Sequence, residues 1–160
     1  MILNETYTLS NGVTIPRLGL GTWLIKDEEA AQAVRDAVAN GYRHIDTAQA
    51  YQNERGVGEG VRTCGIPRSE LFVTTKLAAE IKDYDAAVAA IDQSLQTMGL
   101  DTIDMMIIHS PEPWMEFREG NHYFEGNLEA WRALEDAYRA GKLRAIGVSN
   151  FEEVDLDNLL

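Results

Sequence analysis

Cysteine is almost missing from this chain. Cys64 is the only one in 160 residues, so no internal disulfide can form, and the usage fits a reducing compartment. Proline is sparse at four, and with 13 glycines and 25% charged residues the composition excludes collagen, coiled coil and disorder. No apolar run approaches the roughly 20 residues that cross a bilayer. The opening Met1-Ile2-Leu3-Asn4-Glu5-Thr6 lacks the basic start and apolar stretch of a signal peptide. A soluble, cytoplasmic chain with no membrane partner is expected. Bases are also scarce: 14 stand against 26 acids, a net charge of −12, and no Lys/Arg cluster breaks the trend. Such a chain repels phosphate backbones, so no nucleic-acid partner is expected. What remains is 45% hydrophobic and long enough for one domain that buries about two-thirds of its extended surface.

The pattern along the chain is regular. Tyr7 to Ile15 holds Asn11-Gly12 between two short alternating segments, which predicts a hairpin over 7–15 with a type I′ turn and positive φ at both central residues. Leu18 to Gly21 reads as a short buried strand. Asp27 to Ala39 has Ala30, Val34, Ala37 and Val38 at helical spacing, closed by Asn40-Gly41. Strands are then predicted at Tyr42–Thr47, Leu71–Thr75, Ile103–Ile108 and Leu143–Val148. Helices are predicted at Glu54–Arg62, Asp85–Met98, Leu128–Ala140 and from Phe151 onward. The continuous apolar run Met105-Met106-Ile107-Ile108 is expected where both faces of a strand are buried. No linker, repeat or low-complexity segment divides the chain. Five βα units imply a parallel sheet with helical crossovers, either an open doubly wound sheet or part of a (β/α)8 barrel. Both architectures place function at the carboxyl ends of the strands.

Reading off those ends gives Thr22-Trp23, then Asp46 with Tyr51, then Lys76, then His109, then Ser149-Asn150. Singly, each has a bland explanation: a cap, a solvated tip, a rim histidine. Together, four titratable groups on three consecutive strands exceed what a sheet needs for stability. A tyrosine, with an ordinary pKa of about 10, is a weak acid at neutral pH. An adjacent ammonium favours its phenolate, and a carboxylate keeps that ammonium charged and oriented. An imidazole nearby can donate to a substrate oxygen. Tyr51, Lys76, Asp46 and His109 are therefore a candidate proton-donating group for a carbonyl becoming an alkoxide.

At this point the sequence resembles the aldo-keto reductase family. Gly41-Tyr42-Arg43-His44-Ile45-Asp46-Thr47-Ala48, followed by Glu54 and Val57-Gly58, is similar to its first signature. Arg144-Ala145-Ile146-Gly147-Val148-Ser149-Asn150-Phe151 is similar to its second. Gly19 to Trp23, Phe72 to Leu77, and Leu100 to Asp104 leading to Ile108-His109 add three blocks in the family's order. The resemblance implies a (β/α)8 TIM-barrel type of fold, α/β in class and here incomplete: the N-terminal hairpin, capping the barrel bottom, plus five βα units in a single domain over 1–160, truncated before the sixth strand. A full barrel takes about 250 residues. It further implies hydride transfer from NADPH or NADH to a small aldehyde or ketone, without a metal. Tyr51 would be the general acid, tuned by Lys76 and Asp46, and His109 would orient the carbonyl. Thr22, Asp46, Ser149 and Asn150 match positions that contact the nicotinamide end of the cofactor. Trp23, Tyr51, His109 and Trp114 match the substrate pocket. Many relatives carry Trp directly after the histidine, whereas Ser110-Pro111 stands here. The stretch from Pro113 to Gly126, with Trp114, Phe117, Tyr123 and Phe124, resembles the family's long substrate loop; packing of a long loop explains the aromatics equally well.

Two look-alikes are set aside. Gly56-Val57-Gly58-Glu59-Gly60 does not follow a strand and lacks the G-x-G-x-x-G spacing, so close packing of the helix on the barrel is the expectation. His44 and His122 lack zinc spacing, and no metal site is expected. A non-catalytic, self-associating half barrel pairing through exposed strand edges, or a regulatory subunit keeping inherited motifs, stands as the alternative to the enzyme.

Overall fold

The computed structural model describes residues 2–160. The chain opens on a hairpin, β1 (Thr6–Thr8) and β2 (Thr14–Pro16), paired antiparallel with Tyr7 opposite Ile15. Its turn is not the predicted type I′. The Gly12 N–H donates to the Leu9 carbonyl, the Leu9 N–H donates to the Val13 carbonyl, and of the two central residues only Gly12 has positive φ, at 84°. The connection is a three-residue loop, Ser10-Asn11-Gly12, ending in a glycine bulge. Asn11 uses its side chain rather than its backbone freedom: Oδ1 accepts from the Val13 N–H at 3.1 Å, and Nδ2 donates to the Arg144 carbonyl at 2.9 Å.

The remaining elements alternate as β3 (Leu20–Gly21), α1 (Asp27–Ala39), β4 (His44–Asp46), α2 (Glu54–Thr63), β5 (Phe72–Leu77), α3 (Tyr84–Met98), β6 (Ile103–Ile108), α4 (Phe124–Arg139), β7 (Leu143–Val148) and α5 (Glu153–Leu159). The five strands from β3 to β7 form one parallel sheet in strict sequence order. A doubly wound sheet reverses its order at a switch point. This one never does, and its course is the arc of an α/β barrel, incomplete at five βα units. The outer flanks of β3 and β7 pair with no other strand among the described residues. The hairpin's bond to Arg144, at the start of β7, places it at the amino ends of the strands.

The core lies between the sheet and its helices. Ile45, Val73, Leu77, Met106, Ile108 and Leu143 are buried against Val34, Val57, Ile91, Met98 and Leu134. The expectation of burial on both faces of β6 is corrected: Met106 and Ile108 are buried, but Met105 and Ile107 are half-buried. Side chains alternate along a strand, and among the described residues helices cover one face of the sheet. Element ends also move. The two predicted N-terminal strands shorten to Leu20–Gly21 and His44–Asp46, while the third runs on to Leu77 because Lys76 and Leu77 pair with Ile107 and Ile108. Helix α4 begins at Phe124 rather than Leu128, since its first turn carries Gly126 and the buried polar Asn127, which break the apolar periodicity. The α2 glycines pack on helices, not on the barrel: a Cβ at Gly56 would overlap the Asp27 carbonyl of α1, and one at Gly58 the Met98 carbonyl of α3.

Candidate active site

Four backbone hydrogen bonds carry the sheet ladder one residue beyond the carboxyl ends of its strands. Thr22 N–H donates to Asp46 O, Thr47 N–H to Thr74 O, His109 N–H to Leu77 O, and Ser149 N–H to Ile108 O. They bring Thr22, Asp46, Lys76, His109 and Ser149 to one end of the sheet. Tyr51 arrives there on a 3-10 turn, Gln49–Tyr51, directly after β4.

Lys76 is the hub. Its Nζ donates to Asp46 Oδ1 at 2.5 Å, to the Thr47 carbonyl at 2.8 Å and to Tyr51 OH at 3.2 Å. All three N–H groups of the ammonium are thereby used, and its side chain is only 10% exposed against 31% for Asp46. The turn carrying Tyr51 is pinned on both sides. Before it, Thr47 Oγ1 donates to Asn53 Oδ1 at 2.7 Å, and Asn53 Nδ2 donates to the Thr22 and Ile25 carbonyls. Behind it, Gln49 accepts from the Ala78 N–H and donates to the Ala90 carbonyl and Ser94 Oγ. Ser94 and Thr75 in turn donate to the buried Glu54 carboxyl, whose pKa burial pushes up.

His109 stands edge-on to Tyr51, ring centroids 5.7 Å apart, and to Trp114 at 5.0 Å. Its pKa falls to about 4, first because burial disfavours the charged ring and second because Lys76 repels it, so the imidazole is neutral at pH 7. Its Nδ1 is the one buried side-chain nitrogen or oxygen without a hydrogen-bond partner among the described residues. A proton on Nε2 makes that nitrogen an available donor.

The other expected site residues are placed as follows. Thr22 is wholly buried, and its hydroxyl donates to the Asp46 carbonyl at 3.1 Å. Asn150, at φ 62°, donates from Nδ2 to the His109 carbonyl and to Ser149 Oγ. Trp23 is 68% exposed and Trp114 39%. Among the described residues no group of three or more His, Cys, Asp or Glu side chains converges as a metal site would require, and no helix is long and apolar enough to cross a membrane. Sequence reasoning missed Gln49, Asn53, Thr75 and Ser94. They are scattered polar residues on a turn, a helix cap, a strand and a helix, and their common role is visible only once the strands are in register.

The chain matches the Aldo/keto reductase family over residues 17–159. It is 47% identical over 153 residues to the 9,11-endoperoxide prostaglandin H2 reductase of Trypanosoma cruzi, covering 95% of this chain and 50% of that protein. It is 43% identical over 159 residues to the glyoxal reductase of Bacillus subtilis, covering 99% of this chain and 54% of that one. The chain thus spans about half the length of the curated relatives it matches. Among solved structures, an aldo/keto reductase from Brucella melitensis superposes with a TM-score of 0.88 at 41% identity, over 97% of this chain and 56% of its own. A Bombyx mori aldo-keto reductase in complex with NADP does so at 0.82 and 39%, over 97% and 53%.

Proposed function

The chain belongs to the aldo/keto reductase family, and from that premise we propose that it reduces an aldehyde or ketone to an alcohol with NADPH or NADH, using Tyr51 as the proton donor. One observation carries this reading: a single buried ammonium joins the Tyr51 phenol to the Asp46 carboxylate. When bound, the reduced nicotinamide supplies a hydride. The residues at this end of the sheet suit its polar carboxamide: Asn150 and Ser149 offer amide and hydroxyl groups beside His109.

The chain's own groups then divide the remaining work. His109 is neutral and donates from Nε2 to the carbonyl oxygen, orienting it and stabilising its developing charge. Tyr51 receives a hydrogen bond from Lys76 on its oxygen, so its own O–H is free to point at the substrate. Proton transfer to the forming alkoxide leaves a phenolate beside an ammonium whose burial strengthens the attraction. Asp46 holds Lys76 in place without itself meeting the substrate. Trp23 and Trp114 supply apolar walls.

Loss of NADPH absorbance with a generic aldehyde tests the proposal. Tyr51→Phe keeps the ring and removes the proton, and kcat should drop about a hundredfold or more. Turnover unaffected by that change would remove Tyr51 from the mechanism.

A further inference from the structure

The segment from Ser110 to Tyr123 joins β6 to α4 and carries Trp114, the residue edge-on to His109. Several side chains outside it hold it: Asp155 bonds His122 Nδ1 at 2.8 Å, Glu152 pairs with Arg118 at 3.5 Å, Glu80 accepts from the Trp114 N–H, and Lys82 and Asn127 act together on its two ends. Asn127, in the first turn of α4 and 1% exposed, donates from Nδ2 to the Pro111 carbonyl at 2.9 Å and to the His122 carbonyl at 3.0 Å. One amide therefore ties both ends of the loop. Its Oδ1 accepts from Lys82 Nζ at 2.8 Å, and the same Nζ donates to the Ser110 carbonyl at 3.0 Å. Lys82 lies six residues beyond Lys76, between β5 and α3, so the clamp binds the segment that leaves β5 to the segment that leaves β6. Gly126 permits this: a Cβ there would come within 2.6 Å of Lys82 Cβ.

Two bonds close the loop on itself, one ahead of Trp114 and one across it, and a third ties Trp114 to Glu80 outside it. Ser110 Oγ accepts from the Glu112 N–H at 3.3 Å, the buried Glu112 carboxylate accepts from the Arg118 N–H, and the Trp114 N–H donates to Glu80 Oε1 at 3.3 Å.

Lys82 is a poor choice if stability alone is at stake. Both of its hydrogen-bond partners are neutral oxygens, and burial lowers its pKa to about 8 although Glu80, Glu112 and Asp155 all act to raise it. A half-buried ammonium without a directly bonded counter-ion opposes folding, whereas an apolar side chain of the same length would not. What the ammonium adds is direction: two acceptors on two different segments fixed by one atom.

We infer that Lys82 and Asn127 form a clamp that holds Trp114 against His109, which makes them positioning residues for the wall of the carbonyl pocket. The inference rests on the reading of His109 and Trp114 as pocket residues. It is tested by a readout that does not need turnover. In the intact chain at pH 7, nuclear Overhauser contacts between the Trp114 indole and the His109 ring should be present. In Lys82→Met they should vanish, while amide shifts in β5 and β6 stay where they were. Asn127→Asp keeps the acceptor for Lys82 but loses both carbonyl contacts, and should do the same. Should Asn127→Asp fail to fold, Lys82→Met decides alone, since methionine keeps the stem. With a bulky aldehyde, Lys82→Met should raise KM about tenfold and leave kcat within about twofold, the mark of a misplaced wall rather than lost chemistry. Ring contacts that persist in Lys82→Met, with or without a lower Tm, would overturn the clamp. Absence of turnover in the unaltered chain would count against the reductase reading and leave the ring-contact result to judge the clamp.

Discussion

Removing either end of the Lys76–Asp46 pair should not be equivalent. Asp46→Asn leaves an ammonium that is 10% exposed facing a neutral amide. Breaking a fully buried pair from one side costs about 3–5 kcal/mol. Here the carboxylate keeps 31% of its side chain in water, and asparagine retains an oxygen toward Nζ, so about 2 kcal/mol is the expected loss. Lys76→Met works differently. It removes the buried charge itself, lets Asp46 hydrate, and orphans chiefly the Thr47 carbonyl, a cost of about 1 kcal/mol. The net effect should lie within about 1 kcal/mol of the parent chain. The double variant should then be more stable than Asp46→Asn alone, because no uncompensated charge remains. Urea unfolding at pH 7, followed by circular dichroism at low salt, reads all three. In a parallel thermal melt, Asp46→Asn should lower Tm by about 4–8 °C. If Lys76→Met proves the more damaging single change, the ammonium is a net stabiliser, and its burial needs no functional reason.

His109 makes a pH-dependent prediction. Its folded pKa of about 4 lies below the ordinary value of about 6.5, so the unfolded chain binds the extra proton first. Stability is lost as pH falls through 6.5 and levels off near 4. Between pH 7 and pH 5 this amounts to about 1–2 kcal/mol, and His109→Gln should lose that much less over the same interval in matched urea titrations. A second expectation concerns Gly58. Its missing Cβ lets α2 lie directly on the Met98 carbonyl, so Gly58→Ala should cost about 3 kcal/mol or more, whereas Gly65→Ala, with open space at a φ of 86°, should cost only about 1–2 kcal/mol. Thermal unfolding of the two variants gives the comparison.

The sequence was most legible where chemistry and periodicity coincide. Lys76 could be placed at a strand end because Leu71-Phe72-Val73-Thr74-Thr75 is a β-rich run with nothing to interrupt it, and the helix Asp27–Ala39 was legible to the residue from its apolar spacing and its Asn-Gly stop. The hairpin misled for a physical reason. Asn-Gly satisfies a type I′ turn, but Asn11 Oδ1 can also accept from the Val13 N–H, and that bond stabilises the longer loop. Gly56, Gly58 and Gly60 were rightly separated from a phosphate loop yet misassigned in their packing, because a sequence shows that a helix face is flat without showing what lies on it. Lys82 and Asn127 were not legible at all. One sits in a polar stretch between two elements and the other in a helix turn hidden by Gly126, and only the register of β5 against β6 makes them neighbours.

That register also explains how four candidate site residues from separate segments come together. Asp46, Tyr51, Lys76 and His109 come from β4, β5 and β6 and the residues directly following them. These are the three central strands of the sheet, and each is paired on both sides. The ladder bonds from Thr47 to Thr74 and from His109 to Leu77 run between those strands alone. The edge strands contribute one step less directly: Thr22 donates to the Asp46 carbonyl from β3's side, and Asn150 to the His109 carbonyl from β7's. The candidate proton-donating group thus lies at the centre of the sheet, where the backbone is held from both flanks, and Thr22, Ser149 and Asn150 stand toward its margins. The Lys76–Tyr51 contact itself joins β5 to the turn after β4. Asn53 bonds that turn to the segment after β3, and Gln49 bonds it to α3, so the contact depends on the edge of the sheet and on a helix as well as on its centre.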